Sequence, residues 1–186
     1  MKKILTTIMC LCIAVMFTAC STETSVKTET SVSVSMNSLQ DLMEKGDKNF
    51  DAGKFDEAIK NYTEAIETDK EFPDAYNSRG VVYCQKGELD KAIADFDQVI
   101  KLAPQVAMGY SNRGQAYSDK GETDKALADL KKAIELDPKY ADAYNNLGVL
   151  YVKTGDNEKA IVNFKKALEI DPNHKNAANN LKEVSK

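Results

Sequence analysis

The sequence predicts an all-α fold: a right-handed α-solenoid of helix-turn-helix units, closed by a C-terminal capping helix. Three observations carry that prediction. A 34-residue period runs from Leu39 to His174 without an insertion. Small residues recur at fixed places in every period, where two helices would have to approach closely. The composition of the 186 residues, 42% hydrophobic and 29% charged, is that of a chain able to build a core. The chain then divides into a leader at 1–19, a tether at 20–38, four units at 39–72, 73–106, 107–140 and 141–174, and a cap at 175–186.

In the leader, Lys2 and Lys3 form a basic start, and an uncharged apolar run follows from Ile4 to Phe17. That run has the length of a secretory h-region and is too short for a comfortable membrane-spanning helix. Phe17-Thr18-Ala19-Cys20-Ser21 resembles the lipobox of bacterial lipoproteins, with Phe17 where that family usually has leucine. The resemblance implies that Cys20 is diacylated on its thiol, becomes the new N-terminus and is usually acylated again. Acyl chains worth about 0.8 kcal/mol per buried CH₂ would then hold the protein on a membrane. Ser21 resembles the signal for onward sorting to the outer membrane, so the implied location is the bacterial cell envelope. A plain secretory leader that ends at a cysteine is the other reading of these residues. On the lipobox reading Cys10 and Cys12 leave with the leader and Cys20 is acylated. Cys84 remains alone, and no intramolecular disulfide forms.

The Ser/Thr-rich tether contains Thr-Glu-Thr-Ser-Val twice, at 22–26 and 28–32. Isolated valines with no helical period cannot bury enough surface to offset the entropy of ordering. A strand from Val26 to Val34 has the right alternation but no partner strand. A flexible segment of this length spans on the order of 20–25 Å r.m.s..

The four units share more than a period. Position 8 is Gly46, Gly80, Gly114 and Gly148; position 15 is Gly53, Gly87, Gly121 and Gly155. Position 20 is alanine throughout (Ala58, Ala92, Ala126, Ala160), and position 27 is Ala65, Val99, Ala133 and Ala167. Position 24 is Tyr62, Phe96, Leu130 and Phe164, and tyrosine fills positions 4 and 11 of the last three units. Position 32 is Lys70, then Pro104, Pro138 and Pro172. This pattern resembles the tetratricopeptide repeat, a pair of antiparallel helices that stacks into a superhelix.

The residue types explain themselves physically. Glycine at position 8 and alanine at position 20 let helices A and B of one unit close on each other. Glycine at position 15 serves the turn between them, where φ > 0 is useful. Proline at position 32 stops helix B. Helix A is therefore expected at about 39–52, 73–86, 107–120 and 141–153, and helix B at about 55–69, 89–102, 123–136 and 157–170. Unit one departs most, with Leu42, Asn49 and Lys70 in place of two tyrosines and the proline. In the cap, Ala178, Leu181 and Val184 are expected to pack inward, and Lys175, Asn179, Asn180, Lys182 and Glu183 to solvate the open end.

The resemblance also implies a concave groove lined by one face of the A helices. The candidate groove residues are Asp74, Asn77, Ser78, Val81, Met108, Asn112, Asp142, Asn145, Asn146, Val149 and Asn180. Two features stand out. Position 6 forms a column of Asn112, Asn146 and Asn180, preceded by Ser78; a carboxamide offers a donor and an acceptor together and can pair with an extended backbone. The column is similar to the asparagine ladder of O-linked N-acetylglucosamine transferases. A purely solvating role for these residues is the competing reading. The second feature is charge: Glu44, Asp47, Asp51, Asp74, Asp119, Asp142 and Glu183 face one base, Lys153. A Lys/Asn/Arg clamp for acidic C-terminal peptides, known in some tetratricopeptide proteins, lacks its bases here, where Asn77, Val81, Asn112, Asp142 and Asn146 stand. Neutral or basic extended segments are the expected ligands.

Other functions are disfavoured. A formal charge of −4 argues against nucleic acid as a partner. A single histidine, His174, expected at a surface turn, excludes histidine-based metal clusters. No nucleophile–base pair suggests an enzyme, and no cofactor is expected. Cys84 reads as a small filler of the groove, since no adjacent base would activate it. The expected function is a membrane-anchored adaptor that binds a protein or peptide segment. By resemblance, such repeat lipoproteins serve pilus or secretin assembly or scaffold cell-wall enzymes. A self-associating scaffold, a homo-oligomer whose groove takes another copy's tether or cap, is the alternative.

Overall fold

The computed structural model describes residues 38–186. The leader, Cys20 and the tether up to residue 37 lie outside the described residues. Among those described there are nine α-helices and no strand: α1 (38–51), α2 (Phe55–Thr68), α3 (Pro73–Gln85), α4 (Leu89–Leu102), α5 (Ala107–Lys120), α6 (Thr123–Leu136), α7 (Ala141–Lys153), α8 (Asn157–Ile170) and α9 (Lys175–Val184). Helices α2 to α8 end within one residue of the expected places.

The punctuation works locally as the residue types require. Gly53, Gly87, Gly121 and Gly155 all sit at φ between 71° and 83°, the left-handed region that a Cβ would strain. The helix B stop has a second cause that the sequence reading missed. Asp69, Asp137 and Asp171, one residue before position 32, each accept the N–H two residues on at 2.9 Å, which closes an Asx turn. Lys70 can therefore replace proline in unit one without extending α2.

Packing follows the period. A Cβ on Gly148 would lie 2.5 Å from the Phe164 ring, and one on Gly114 would lie 2.9 Å from Leu130 Cγ. Position 8 thus receives the large residue at position 24 of its own unit. Tyr62, Phe96, Leu130 and Phe164 are all buried, 2% exposed or less. Two further positions, unmarked in the sequence reading, lock one unit to the next. At position 3, Ala75, Gly109, Ala143 and Ala177 are buried, and a Cβ on Gly109 would meet Val99 Cγ1 at 2.9 Å. At position 10, Val82 packs on Ala58 and Tyr62, Ala116 on Ala92 and Phe96, and Leu150 on Ala126 and Leu130. Ala177 is the buried alanine of the cap and Ala178 is exposed, which corrects the expectation for α9 by one residue.

The odd-numbered helices form an inner row, in which α3 meets α5, α5 meets α7 and α7 meets α9. At the N-terminal end Asp41 and Lys48 stand at positions 3 and 10, where later units bury small or apolar residues. They bond Lys45 and Glu44, at 2.7 and 2.6 Å. At the other end α9 exposes Lys175, Asn176, Asn179 and Lys182. The outer sides of α1 and α9 are thus polar.

Candidate functional site

The inner row presents its side chains in rungs. Asn112 Nδ2 donates to Asn77 Oδ1 at 2.7 Å, Asn146 Nδ2 to Ser111 Oγ at 3.2 Å, and Asn180 Nδ2 to Asn145 Oδ1 at 3.0 Å. Each bond runs from position 6 of one helix A to position 5 of the helix before it, 35 residues back. Asn145 also donates to Asn146 Oδ1, at 3.3 Å. The asparagine column is therefore half-buried and tied between units, which the sequence pattern alone did not show. Asn145 and Ser111, at position 5, are buried behind the face, at 6% and 0% exposed. A position 5 side chain points at the next inner helix, so α7 and α9 cover it.

The other candidates occupy the groove in different depths. Asp74 and Asp142 are exposed; Asn77, Ser78, Val81, Met108 and Val149 are half-buried. Val81 and Cys84 pack against Ala92, Ile93 and Phe96. Burial, with the charge of Asp119 adding to it, pushes the Cys84 thiol up to about 11. That keeps it a protonated filler at neutral pH. Among the described residues no group of histidine, cysteine and acidic side chains could hold a metal ion.

Hollows open on this face. One, of about 170 Å³, is lined by Asp47, Phe50, Tyr62, Asn77, Ser78 and Val81, at the junction of units one and two. Tyr62 donates its hydroxyl to Asp47 there at 2.6 Å. Burial first, and that bond second, raise the Tyr62 phenol above its ordinary value. The other hollow, of about 580 Å³, lies where α7, α8 and α9 meet.

The electrostatics are milder than the residue list suggests. Lys153 bridges to Asp119 at 2.6 Å across units three and four, Glu44 is paired with Lys48, and Glu183 with Lys186. His174 Nε2 lies 3.0 Å from Asp142 Oδ1, while its Nδ1 accepts the Ala177 N–H at 3.2 Å. His174 is thus a largely buried N-cap that fastens α9 to α7, not a surface turn residue. Asp47, Asp51 and Asp74, in units one and two, make no ion pair among the described residues, and Asp142 in unit four has only the His174 imidazole beside it.

On the opposite side of α3 and α5 sits a pair of ion clusters that the sequence reading did not single out. Arg79 makes two bonds to Asp95, at 2.9 and 2.8 Å, and one to Thr63 at 3.0 Å. Arg113 makes two to Asp129, at 2.7 and 2.8 Å, and one to Asp97 at 2.6 Å. Each guanidinium lies under 6 Å from two tyrosine rings, Tyr76 and Tyr83 or Tyr110 and Tyr117. The bonds to Asp129 and Asp97 outweigh burial and raise Arg113 above its ordinary value. The legible signal was covariation inside the chain: arginine at position 7 with aspartate at position 23 in units two and three, Leu147 with Asn163 in unit four.

Comparison with known proteins agrees with this architecture. The family description "TPR repeat" matches residues 46–87 and 114–155, and "Tetratricopeptide repeat" matches 73–106 and 141–174. No curated protein matches the chain. Among solved structures, MamA is 30% identical, with 75% of this chain and 81% of that one covered and a TM-score of 0.60. The first TPR of Spaghetti (RPAP3), bound to the HSP90 peptide SRMEEVD, is 28% identical, with 64% and 94% covered and a TM-score of 0.60. TTC0263, a thermophilic TPR protein of Thermus thermophilus, shares the fold at 22% identity, 78% and 80% coverage and a TM-score of 0.73. The chain belongs to the tetratricopeptide repeat family.

Proposed function

We propose that this protein is an adaptor that holds an extended segment of a partner protein along its inner helices. The observation that carries the reading is the row of rungs on α3, α5, α7 and α9. Each position 6 carboxamide uses one N–H on its neighbour and keeps a second. The Oδ1 atoms of Asn112 and Asn180 accept no bond among the described residues. Donors and acceptors at a fixed repeat, held in place by the stack, suit the alternating N–H and C=O of an extended chain. The RPAP3 relative, seen with a bound peptide, supports the same use of the fold. Partners with neutral or basic character fit Asp47, Asp51 and Asp74, whose charges no ion pair among the described residues neutralises.

The lipobox-like Cys20 adds a place to this role: a lipid-anchored protein of the bacterial envelope, at the outer membrane, recruiting partners for assembly of an envelope complex. A self-associating scaffold, in which the groove takes another copy's tether or cap, would use the same inner face, and sedimentation at two concentrations separates it from a monomeric adaptor.

Alanine at Asn112 and at Asn146 should each weaken partner binding by roughly 0.5–1.5 kcal/mol, the net value of a neutral hydrogen bond. Lys132→Ala on α6 is the control. Equal binding by all three variants would move the site off the inner row. For the anchor, Cys20→Ser should shift the protein out of the membrane fraction; unchanged fractionation would remove the lipid from the account.

A further inference from the structure

The two ends of the groove differ in chemistry. Inside the array, position 10 of each helix A covers the large position 24 residue of the unit before it: Val82 over Tyr62, Leu150 over Leu130. In α9 that place falls to Val184, the last residue of a helix three to four residues shorter than the other inner helices from α3 on. A cavity of about 580 Å³ is left between α7, α8 and α9, with Val149, Val152, Phe164 and Val184 as its apolar walls. Val152, at 42% exposed, is one of three large hydrophobic side chains on the described surface.

The charges around this cavity cancel. Lys153 is bonded to Asp119 at 2.6 Å and Lys186 to Glu183 at 2.6 Å, and Asn157 and Asn180 complete the rim. At the other end, Asp47, Asp51 and Asp74 carry three negative charges that no ion pair among the described residues neutralises, although Asp47 accepts the Tyr62 hydroxyl. An uncharged apolar side chain is therefore favoured at the cap end. Cationic residues are favoured at the end formed by units one and two.

We propose that the groove binds its partner segment in one direction: a bulky aliphatic or aromatic side chain fills the cavity at the α7–α8–α9 junction, and Lys or Arg residues on one fixed side of it lie over Asp47, Asp51 and Asp74. This rests on the groove being the binding face. It adds to that reading a specificity pocket and an orientation. The rungs between the two ends contribute contacts to backbone and are indifferent to sequence. The cavity supplies selectivity because leaving it empty, or placing a polar group in it, forfeits the burial of a whole apolar side chain.

The test is selection of a displayed random twelve-residue peptide library on the full chain and on two variants. Val152→Glu places a carboxylate in the cavity mouth at an already exposed position, and Asp47→Asn with Asp74→Asn removes charge at the far end. A thermal melt on each variant establishes that it is folded. On the unaltered chain, enriched peptides should carry a bulky apolar residue and, always on the same side of it, Lys or Arg. Val152→Glu should erase the apolar preference, keep the basic one, and weaken a selected peptide by about tenfold or more. The aspartate variant should do the converse. Peptides with a basic preference but no apolar position, or an apolar preference that survives Val152→Glu, would overturn the pocket and leave the groove standing. Enrichment that no groove variant alters, or no enrichment at all, would overturn both.

Discussion

Unit four differs from units two and three in a way that turns the buried ion pairs into an experiment. Arg113 and Asp129 are 20% and 11% exposed at the side chain and share two bonds of 2.7 and 2.8 Å. Replacing Arg113 by leucine would leave Asp129 buried without its cation. Loss of one partner from such a pair costs about 3–5 kcal/mol, and the partial exposure places this one near 3. At roughly 2–4 °C per kcal/mol for a chain of this size, the thermal midpoint should fall by about 6–12 °C. Unit four shows the repair. Leu147 stands at the arginine position, and Asn163 at the aspartate position donates to Lys159 O at 2.8 Å. Adding Asp129→Asn to Arg113→Leu copies that pair, removes the stranded charge and gives the amide the Lys125 carbonyl one turn back. More than half of the lost stability should return. Circular dichroism melts and urea titrations of the two single variants and the double variant measure the coupling directly. Single and double variants that melt together, or an Arg113→Leu variant within about 0.5 kcal/mol of the parent, would refute the reasoning.

Other consequences follow from the same geometry. Gly121 sits at φ 82° with nothing within 4 Å of a Cβ, so Gly121→Ala should cost about 1–2 kcal/mol from backbone strain alone, read as a lower urea midpoint. An unchanged midpoint would mean that the turn relaxes freely. Asn112→Ala breaks a half-buried bond to Asn77 and should cost about 0.5–1.5 kcal/mol of stability even with no ligand present. No loss would return the column to solvent. Burial holds the Cys84 thiol up to about 11, so the folded chain keeps its proton where the unfolded chain, near 9, gives it up. Its contribution to stability is complete below about pH 9 and is lost as pH rises from there toward 11. Alkylation at pH 8 should be slow until urea unfolds unit two, and rapid labelling of the native chain would contradict the burial.

Most of the fold was legible because a repeat states each rule three or four times. Glycine at positions 8 and 15, alanine at 20 and proline at 32 each mark a contact or turn that the structure contains. The unread part has physical reasons. From unit two on, positions 3 and 10 carry small or aliphatic residues (Ala, Gly, Val, Leu), and their meaning lies in the neighbouring unit rather than in their own. His174 looked like a turn residue because its cap bond and its contact with Asp142 depend on how α9 docks on α7. The groove was legible as a set of faces and not as a set of bonds. The asparagine column lay at the expected positions, but only the packing of successive inner helices brings position 6 within reach of position 5, 35 residues earlier. Likewise the acids could be counted in the sequence, while Lys153, Lys186 and Lys48 had to be seen in place to tell which of them are neutralised.

The central claim is that the inner face of the odd-numbered helices holds the partner. Photo-crosslinking side chains placed at Met108 and Val149 in the groove, and at the exposed outer positions Lys131 and Lys165, test it directly in intact cells. The account predicts that the groove positions capture one shared partner, that the adducts map to a single short segment of it, and that the outer positions do not. Adducts from Lys131 and Lys165 with none from Met108 and Val149 would place binding on the outer helices and contradict it.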